Sequence, residues 1–73
     1  MNIQRIYKDI YKNVDFDEFK NLSESHKIVY LKRVIKSVPK FSKDEAYFCK
    51  AIIDRIDYDN SSKTVFKIIK NNI

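Results

Sequence analysis

The chain contains no glycine in its 73 residues. Average usage of roughly 7% would supply about five. Glycine holds a positive φ at little cost, so the primed turns of tight β-hairpins are hard to build without it. Loops that bring backbone amides against phosphate groups need it too, which excludes the P-loop and the dinucleotide-binding fingerprint. Since strict alternation of apolar and polar residues never lasts beyond about four positions, we expect an all-α protein.

Length and composition predict one small domain with a hydrophobic core. Hydrophobic residues make up 44% of the chain and charged residues 34%, a mixture typical of a folded domain rather than a disordered segment. We expect a single helical domain over residues 1–73. With Cys49 as the only cysteine, no internal disulfide can form, and no signal-peptide or membrane-spanning pattern is visible. A cytoplasmic setting is the expectation.

Apolar residues recur at helical spacing in several segments, which predicts a compact bundle or orthogonal array of about four to five short helices. A capping box, Ser42-x-x-Glu45, is the clearest helix start. A preceding helix over residues 26–38 should stop at Pro39. Other predicted N-caps are Asn2, Asp15 and Ser61 or Ser62.

The helix that follows the capping box should carry the main apolar stripe. Its predicted inward side chains are Ala46, Phe48, Cys49, Ile52, Ile53 and Ile56. We also expect Ile3 in the first helix and Ile68 in the last to point inward. A thiol among aliphatic side chains disfavours its thiolate, so Cys49 should be structural and unreactive.

The residue types predict no enzyme, cofactor, metal or small-molecule substrate. His26 and Cys49, the only histidine and cysteine, do not supply a structural zinc set. The acidic clusters 15–18 and 54–59 lack the glycine and the final glutamate of an EF-hand loop. We expect those carboxylates to complement helix termini and to pair with nearby lysine and arginine side chains.

The leading hypothesis is a small non-enzymatic regulatory or adaptor protein that binds another protein, by steric inhibition or recruitment. Tyr47, Ala51 and Tyr58 stand at i, i+4 and i+11 of the capping-box helix, on the flank near Asp54. Tyrosine is enriched in interface hot spots because it buries much area with few rotors. An equally favoured interpretation is that this helix is central and contacted on two sides. A homodimer through the same flank is a further option.

Uneven charge supports an alternative, a DNA- or RNA-binding regulator. Net charge is +5 and the isoelectric point is about 9.4, and cations that meet phosphates strengthen binding by releasing counterions. The two helices around residues 39–42 outline a helix-turn-helix, yet Asp44 and Glu45 would open its recognition helix and be repelled by phosphate. The amino-acid usage fits A/T-rich codons, so a phage or another mobile element is a compatible source. This hypothesis uses the basic helix 26–40, and we call its binding residues the basic stripe: Lys32, Arg33, Lys36 and Lys40.

Overall fold

The computed structural model describes residues 2–73, and over that range the chain forms five helices and no strand. The all-α prediction is therefore confirmed, with four longer helices and one of a single turn. The described residues span 33 × 24 × 20 Å. The helices are α1 (Ile3–Lys12), α2 (Phe16–Phe19), α3 (Glu24–Ser37), α4 (Lys43–Asp59) and α5 (Lys63–Asn71).

Side-chain caps begin the first four helices. The side-chain oxygens of Asn2, Asp15 and Ser42 each accept a hydrogen bond from the backbone N–H three residues later, as the sequence predicts. Ser23 does the same for α3, with 3.3 Å between its Oγ and the His26 nitrogen. α3 therefore starts at Glu24, ahead of the position predicted from its apolar spacing.

Two helix ends show how a chain without glycine stops its helices. α3 ends because Val38 takes extended backbone, with φ −68° and ψ 135°, before Pro39. α4 ends at Asn60, which adopts the left-handed conformation with φ 49° and ψ 42°. Asn60 is the only positive-φ residue between residues 2 and 73. Asparagine is the residue that tolerates this region best after glycine.

The capping box also joins α4 to α1. Glu45 Oε1 accepts hydrogen bonds from Arg5 Nη2 at 2.7 Å and from the Phe41 backbone N–H at 2.8 Å. In the standard motif this carboxylate would bond the N-cap residue itself, here Ser42. Arg5 Nη1 also donates to the Pro39 carbonyl oxygen at 3.0 Å. Through Glu45 and Arg5, the start of α1 is fixed against the segment that connects α3 and α4.

One apolar cluster holds the helices together. α3 packs against α4, α4 against α5, and α5 against α1. Cys49 is 1% exposed within this cluster, and burial raises the pKa of its thiol, as expected for a structural cysteine. The large aliphatic side chains with no exposed surface are Ile6, Ile10, Leu31, Ile35, Ile56 and Ile69.

Three side chains predicted to point inward lie at the surface instead. Ile3 is 38% exposed in the first turn of α1, where cover by other helices is incomplete. Ile68 is 40% exposed, and Ala46 is also exposed. An α-helix turns by about 100° per residue. At that rotation, Ile68 on α5 and Ala46 on α4 each lie about 80–90° from the centre of the buried stripe of their helix.

Candidate binding surfaces

The outward side of α4 presents the predicted protein-binding residues together. Tyr47 and Tyr58 are 70% and 88% exposed, and Ala51 and Asp54 are exposed as well. Their spacing puts all four on one side of the helix, opposite its buried stripe. We call this set, Tyr47, Ala51, Asp54 and Tyr58, the α4 outer surface.

The sequence allowed two interpretations of α4, a central helix contacted on two sides and a helix with an outward binding surface, and its position is compatible with both. α4 contacts α3 and α5, so it is a central helix in the bundle. Those contacts use the buried stripe, whose side chains include Cys49, Ile52 and Ile56. The α4 outer surface takes no part in them, so its tyrosines are not core residues of the folded chain.

The one charged residue of the α4 outer surface, Asp54, pairs with the neighbouring Lys50, so the local charge is close to balanced. Lys50 Nζ lies 3.5 Å from Asp54 Oδ2, and both side chains are more than half exposed. An exposed pair of this kind contributes about 0–1 kcal/mol, so a partner can replace it at little cost. Next to it, Lys43, Ala46, Tyr47 and Lys50 line a shallow depression of about 340 Å³.

Two of the four predicted nucleic-acid-binding cations are engaged within the fold. Lys32 Nζ lies 2.8 Å from Asp57 Oδ1 on α4, and its side chain is only 26% exposed. Lys40 Nζ donates to the carbonyl oxygens of Ile35 and Lys36, at 3.0 and 2.8 Å. The Lys40 ammonium thereby bonds two carbonyl oxygens in the last turn of α3, of which the Ile35 oxygen also accepts from the Val38 N–H.

The other two predicted cations, Arg33 and Lys36, are exposed on α3. Over residues 2–73, neither side chain has a carboxylate within ion-pair distance. Together with Val29 and Lys32 they line a depression of about 280 Å³. The basic stripe thus offers a phosphate backbone two uncommitted cations rather than the four that the sequence suggested.

A third surface, absent from the sequence predictions, is an apolar concavity of about 400 Å³ between α2, α3 and α5. Three aromatic rings form its floor, from Phe16, Phe19 and Phe66. The rings of Phe19 and Phe66 stack with centroids 5.1 Å apart, and Phe16 meets Phe66 edge-on at 5.9 Å. We call this concavity the phenylalanine pocket.

Lysine side chains surround the phenylalanine pocket. Lys20, Lys27 and Lys63 line it, from three different parts of the chain. Lys27 Nζ lies 5.4 Å from the centroid of the Phe19 ring, within cation–π range. Lys20 Nζ is 3.5 Å from Asp17, but this pair is strongly exposed and therefore weak.

Glu24 is the one acidic residue that lines the phenylalanine pocket, and its carboxylate already serves the fold. Its Oε1 accepts hydrogen bonds from the Ser62 N–H at 2.6 Å, the Ser62 Oγ at 3.0 Å and the Ser61 Oγ at 3.2 Å. The bond from the Ser62 N–H is the main cause that lowers the Glu24 pKa. Glu24 therefore caps α5 as an ion, and three lysines outnumber it around the pocket.

Periodicity along the chain does not reveal the phenylalanine pocket, because its walls come from segments far apart in sequence. The spacing does predict Phe16 and Phe19 on one side of α2. It also places Phe66 at the margin of the inward stripe of α5, where the structure finds it half-buried. These two features are the local signals, and the meeting of Phe66 with Phe16 and Phe19 of α2 is a tertiary contact.

No resemblance to a known protein assigns a role to these surfaces. Within residues 2–73, no three histidine, cysteine, aspartate or glutamate side chains converge to hold a metal ion. None of the helices described is long and apolar enough to cross a membrane. Comparison with protein-family models, curated proteins and solved structures finds no match. Function has to be argued from the surfaces themselves.

Proposed function

We propose that this protein is a non-enzymatic regulatory or adaptor module that docks on another protein through the α4 outer surface. The observation that carries the proposal is the exposure of Tyr47 and Tyr58, at 70% and 88%, on one side of the longest helix. By contrast, Tyr7 is 8% exposed in the core. Two aromatic rings held on a rigid helix offer a large contact area with little entropy left to lose.

The chemistry of the α4 outer surface defines its partner. Tyr47 and Tyr58 require an apolar groove with hydrogen-bond acceptors at its edges, and Ala51 between them lets a partner approach the helix closely. Lys43 and Lys50 flank the surface, and Lys50 pairs with Asp54 within it. A partner protein with an apolar groove and a rim that carries both signs of charge complements these features.

The mechanism is steric. If the α4 outer surface fills a groove of the partner, other ligands cannot bind in that groove, which is inhibition. Docking there also brings the rest of the small protein to the partner, which is recruitment. Neither outcome requires a reacting group on the chain. Cys49 is buried with a raised pKa, and His26 Nδ1 lies 3.1 Å from Ser23 Oγ in the cap of α3.

Affinity capture with matched variants tests the proposal. The tagged protein and the Tyr47→Ala/Tyr58→Ala variant are compared on a nuclease-treated lysate at low and high salt. We expect the wild type to retain a protein that the double variant loses by more than about tenfold, the size of a hot-spot effect above about 1.4 kcal/mol. Phe41→Ala is the matched control, because Phe41 is 78% exposed and lies outside α4.

Two further results decide the outcome of this capture experiment. The melting temperature of the double variant should stay close to that of the wild type, because both tyrosines are exposed. If the double variant retains the same proteins as the wild type, the α4 outer surface is not a docking site. Sedimentation velocity identifies the case in which the partner is a second copy of the chain.

A further inference from the structure

We propose that the phenylalanine pocket is a second binding site, and that its occupant is an acidic peptide segment of a partner protein. One large apolar side chain of the segment would enter the pocket. The acidic residues of the segment on either side of it would pair with the surrounding lysines. This site has no residue in common with the α4 outer surface and does not depend on the function proposed for that surface.

The shape and polarity of the pocket favour an apolar anchor. Its volume of about 400 Å³ falls within the range of about 300–1,000 Å³ that is usual for ligand sites. Phe16 remains 38% exposed at the pocket, although Phe19 on the same helix is 7% exposed. An inserted leucine or aromatic side chain would cover the apolar surface that the bundle leaves open to water.

The charges around the pocket favour carboxylates beside that anchor. Lys20 follows α2, Lys27 lies on α3, and Lys63 opens α5, so the three lysines that line the pocket come from three different parts of the chain. A fourth, Lys70 Nζ, lies 6.0 Å from the centroid of the Phe66 ring. Glu24 is the only acid that lines the pocket, and its hydrogen bonds to Ser61 and Ser62 occupy it. Lys20 has only its weak, exposed pair with Asp17, so an acidic segment would supply carboxylate partners that a neutral or basic segment lacks.

The arrangement of the rings favours a peptide over single-stranded nucleic acid. In proteins that bind single-stranded nucleic acid, the bases stack on open faces of aromatic side chains. Here Phe19 and Phe66 stack on each other, and Phe16 packs against both Phe66 and Tyr11, with centroids 5.9 and 4.8 Å apart. The floor therefore receives a side chain from above but presents no row of free faces to successive bases.

Tryptophan fluorescence provides a direct test, because the chain contains no tryptophan. The probe is a capped synthetic peptide, EEDLWDEE, titrated with the 73-residue protein. On binding, its emission should move to shorter wavelength as the indole leaves water. The basic peptide KKNLWNKK should show no shift, and the anchor-free peptide EEDASDEE should not compete with the probe.

Matched charge variants locate the site. Lys27→Gln/Lys63→Gln should weaken binding of the acidic probe about tenfold, the effect of two partly exposed charge contacts. Lys8→Gln/Lys36→Gln removes the same net charge from exposed positions that do not line the pocket. We expect this control to change affinity less than about threefold, because salt screens distant charges. Because the charge of Lys63, after the hydrogen bonds from Ser62 and Ser61, also helps to lower the Glu24 pKa, circular dichroism melts check that each variant stays folded.

Three results would overturn the proposal. Equal loss of binding in the two double variants would mean that the peptide senses only the overall charge. An emission that does not move would mean that no anchor enters the pocket. An oligothymidylate that binds more tightly than the acidic peptide, with the same dependence on Lys27 and Lys63, would assign the pocket to single-stranded nucleic acid.

Discussion

Asn60 is the residue at which the absence of glycine has its clearest structural consequence. A helix as long as α4 commonly ends in a left-handed residue, which is usually glycine. The chain meets this need with asparagine, at φ 49° and ψ 42°. The sequence shows in advance that positive φ must be rare. It does not show which residue adopts it, and the left-handed conformation of Asn60 is a finding of the structure.

Substitution of Asn60 tests this account. Asn60→Ala should lower the free energy of unfolding by about 1 kcal/mol, because a Cβ without a compensating polar group strains left-handed backbone. The melting temperature should then fall by about 4–8 °C. Asn60→Gly should be close to neutral, since relief of strain offsets the greater freedom of the unfolded chain. Thermal unfolding followed by far-UV circular dichroism measures both, and equal effects of the two substitutions would contradict the account.

Helix starts divide into those that local sequence predicts and those that it does not. α1, α2 and α4 begin at caps within three residues of the groups they bind, so a single-sequence pattern identifies them. α5 has Ser62 at its N-cap position, one of the two serines that the sequence predicts there, but the Ser62 side chain makes no cap bond. The neighbouring Ser61 Oγ accepts a hydrogen bond from the Lys63 N–H at 3.1 Å. Local sequence does not predict the part played by Glu24, which comes from α3 and accepts a hydrogen bond from the Ser62 N–H. The phenylalanine pocket escaped prediction for the same reason, since Phe66 and α2 meet only through the tertiary fold.

The basic stripe shows the same limit within one helix. On a helical wheel, Lys32, Arg33 and Lys36 look equivalent. The structure separates them, because Asp57 of α4 holds Lys32 at 2.8 Å whereas Arg33 and Lys36 face solvent. The charge of a helix side is thus predictable from sequence, but its availability to a phosphate is set by the neighbouring helix.

Charge-reversal substitutions on α3 distinguish the ion-paired Lys32 from the solvent-exposed Arg33 and Lys36. Lys32→Glu should lower the melting temperature, because it replaces a partly buried ion pair worth up to about 1 kcal/mol by two facing carboxylates. Adding Asp57→Lys should restore the pair and most of the stability. Arg33→Glu/Lys36→Glu should leave the melting temperature within about 2 °C, as expected for surface substitutions. Circular dichroism melts provide the comparison.

The same variants bear on the nucleic-acid hypothesis. Retention of a short duplex by the wild type at physiological salt, lost in Arg33→Glu/Lys36→Glu, would support a DNA- or RNA-binding regulator. We expect instead weak retention that salt abolishes, the sequence-independent binding of a basic protein.

At the scale of the whole molecule, two buried or partly buried carboxylates join segments that are distant in sequence. Glu45 links α4 to α1 through Arg5 Nη2 at 2.7 Å. Glu24 links α3 to α5 through the Ser62 N–H at 2.6 Å. Hydrogen bonds from backbone N–H groups are the main cause that lowers the pKa of each carboxyl, from Phe41 for Glu45 and from Ser62 for Glu24. Both links depend on the ionised form.

The stability of the bundle should therefore fall in acid. A carboxyl with a lowered pKa in the folded state takes up its proton first in the unfolded chain, where the ordinary glutamate value is about 4.3. Its contribution is complete above that value and is lost as the pH falls through the folded-state pKa. We expect a constant melting temperature between about pH 6 and 8 and a steep fall below about pH 4.5.

Glu45→Gln and Glu24→Gln should each be less stable at neutral pH and less sensitive to acid, because the titrating group is gone. Glu18→Gln, at an exposed position, should keep the wild-type profile. Identical acid transitions in all three variants would show that other groups, or net charge alone, unfold the protein at low pH.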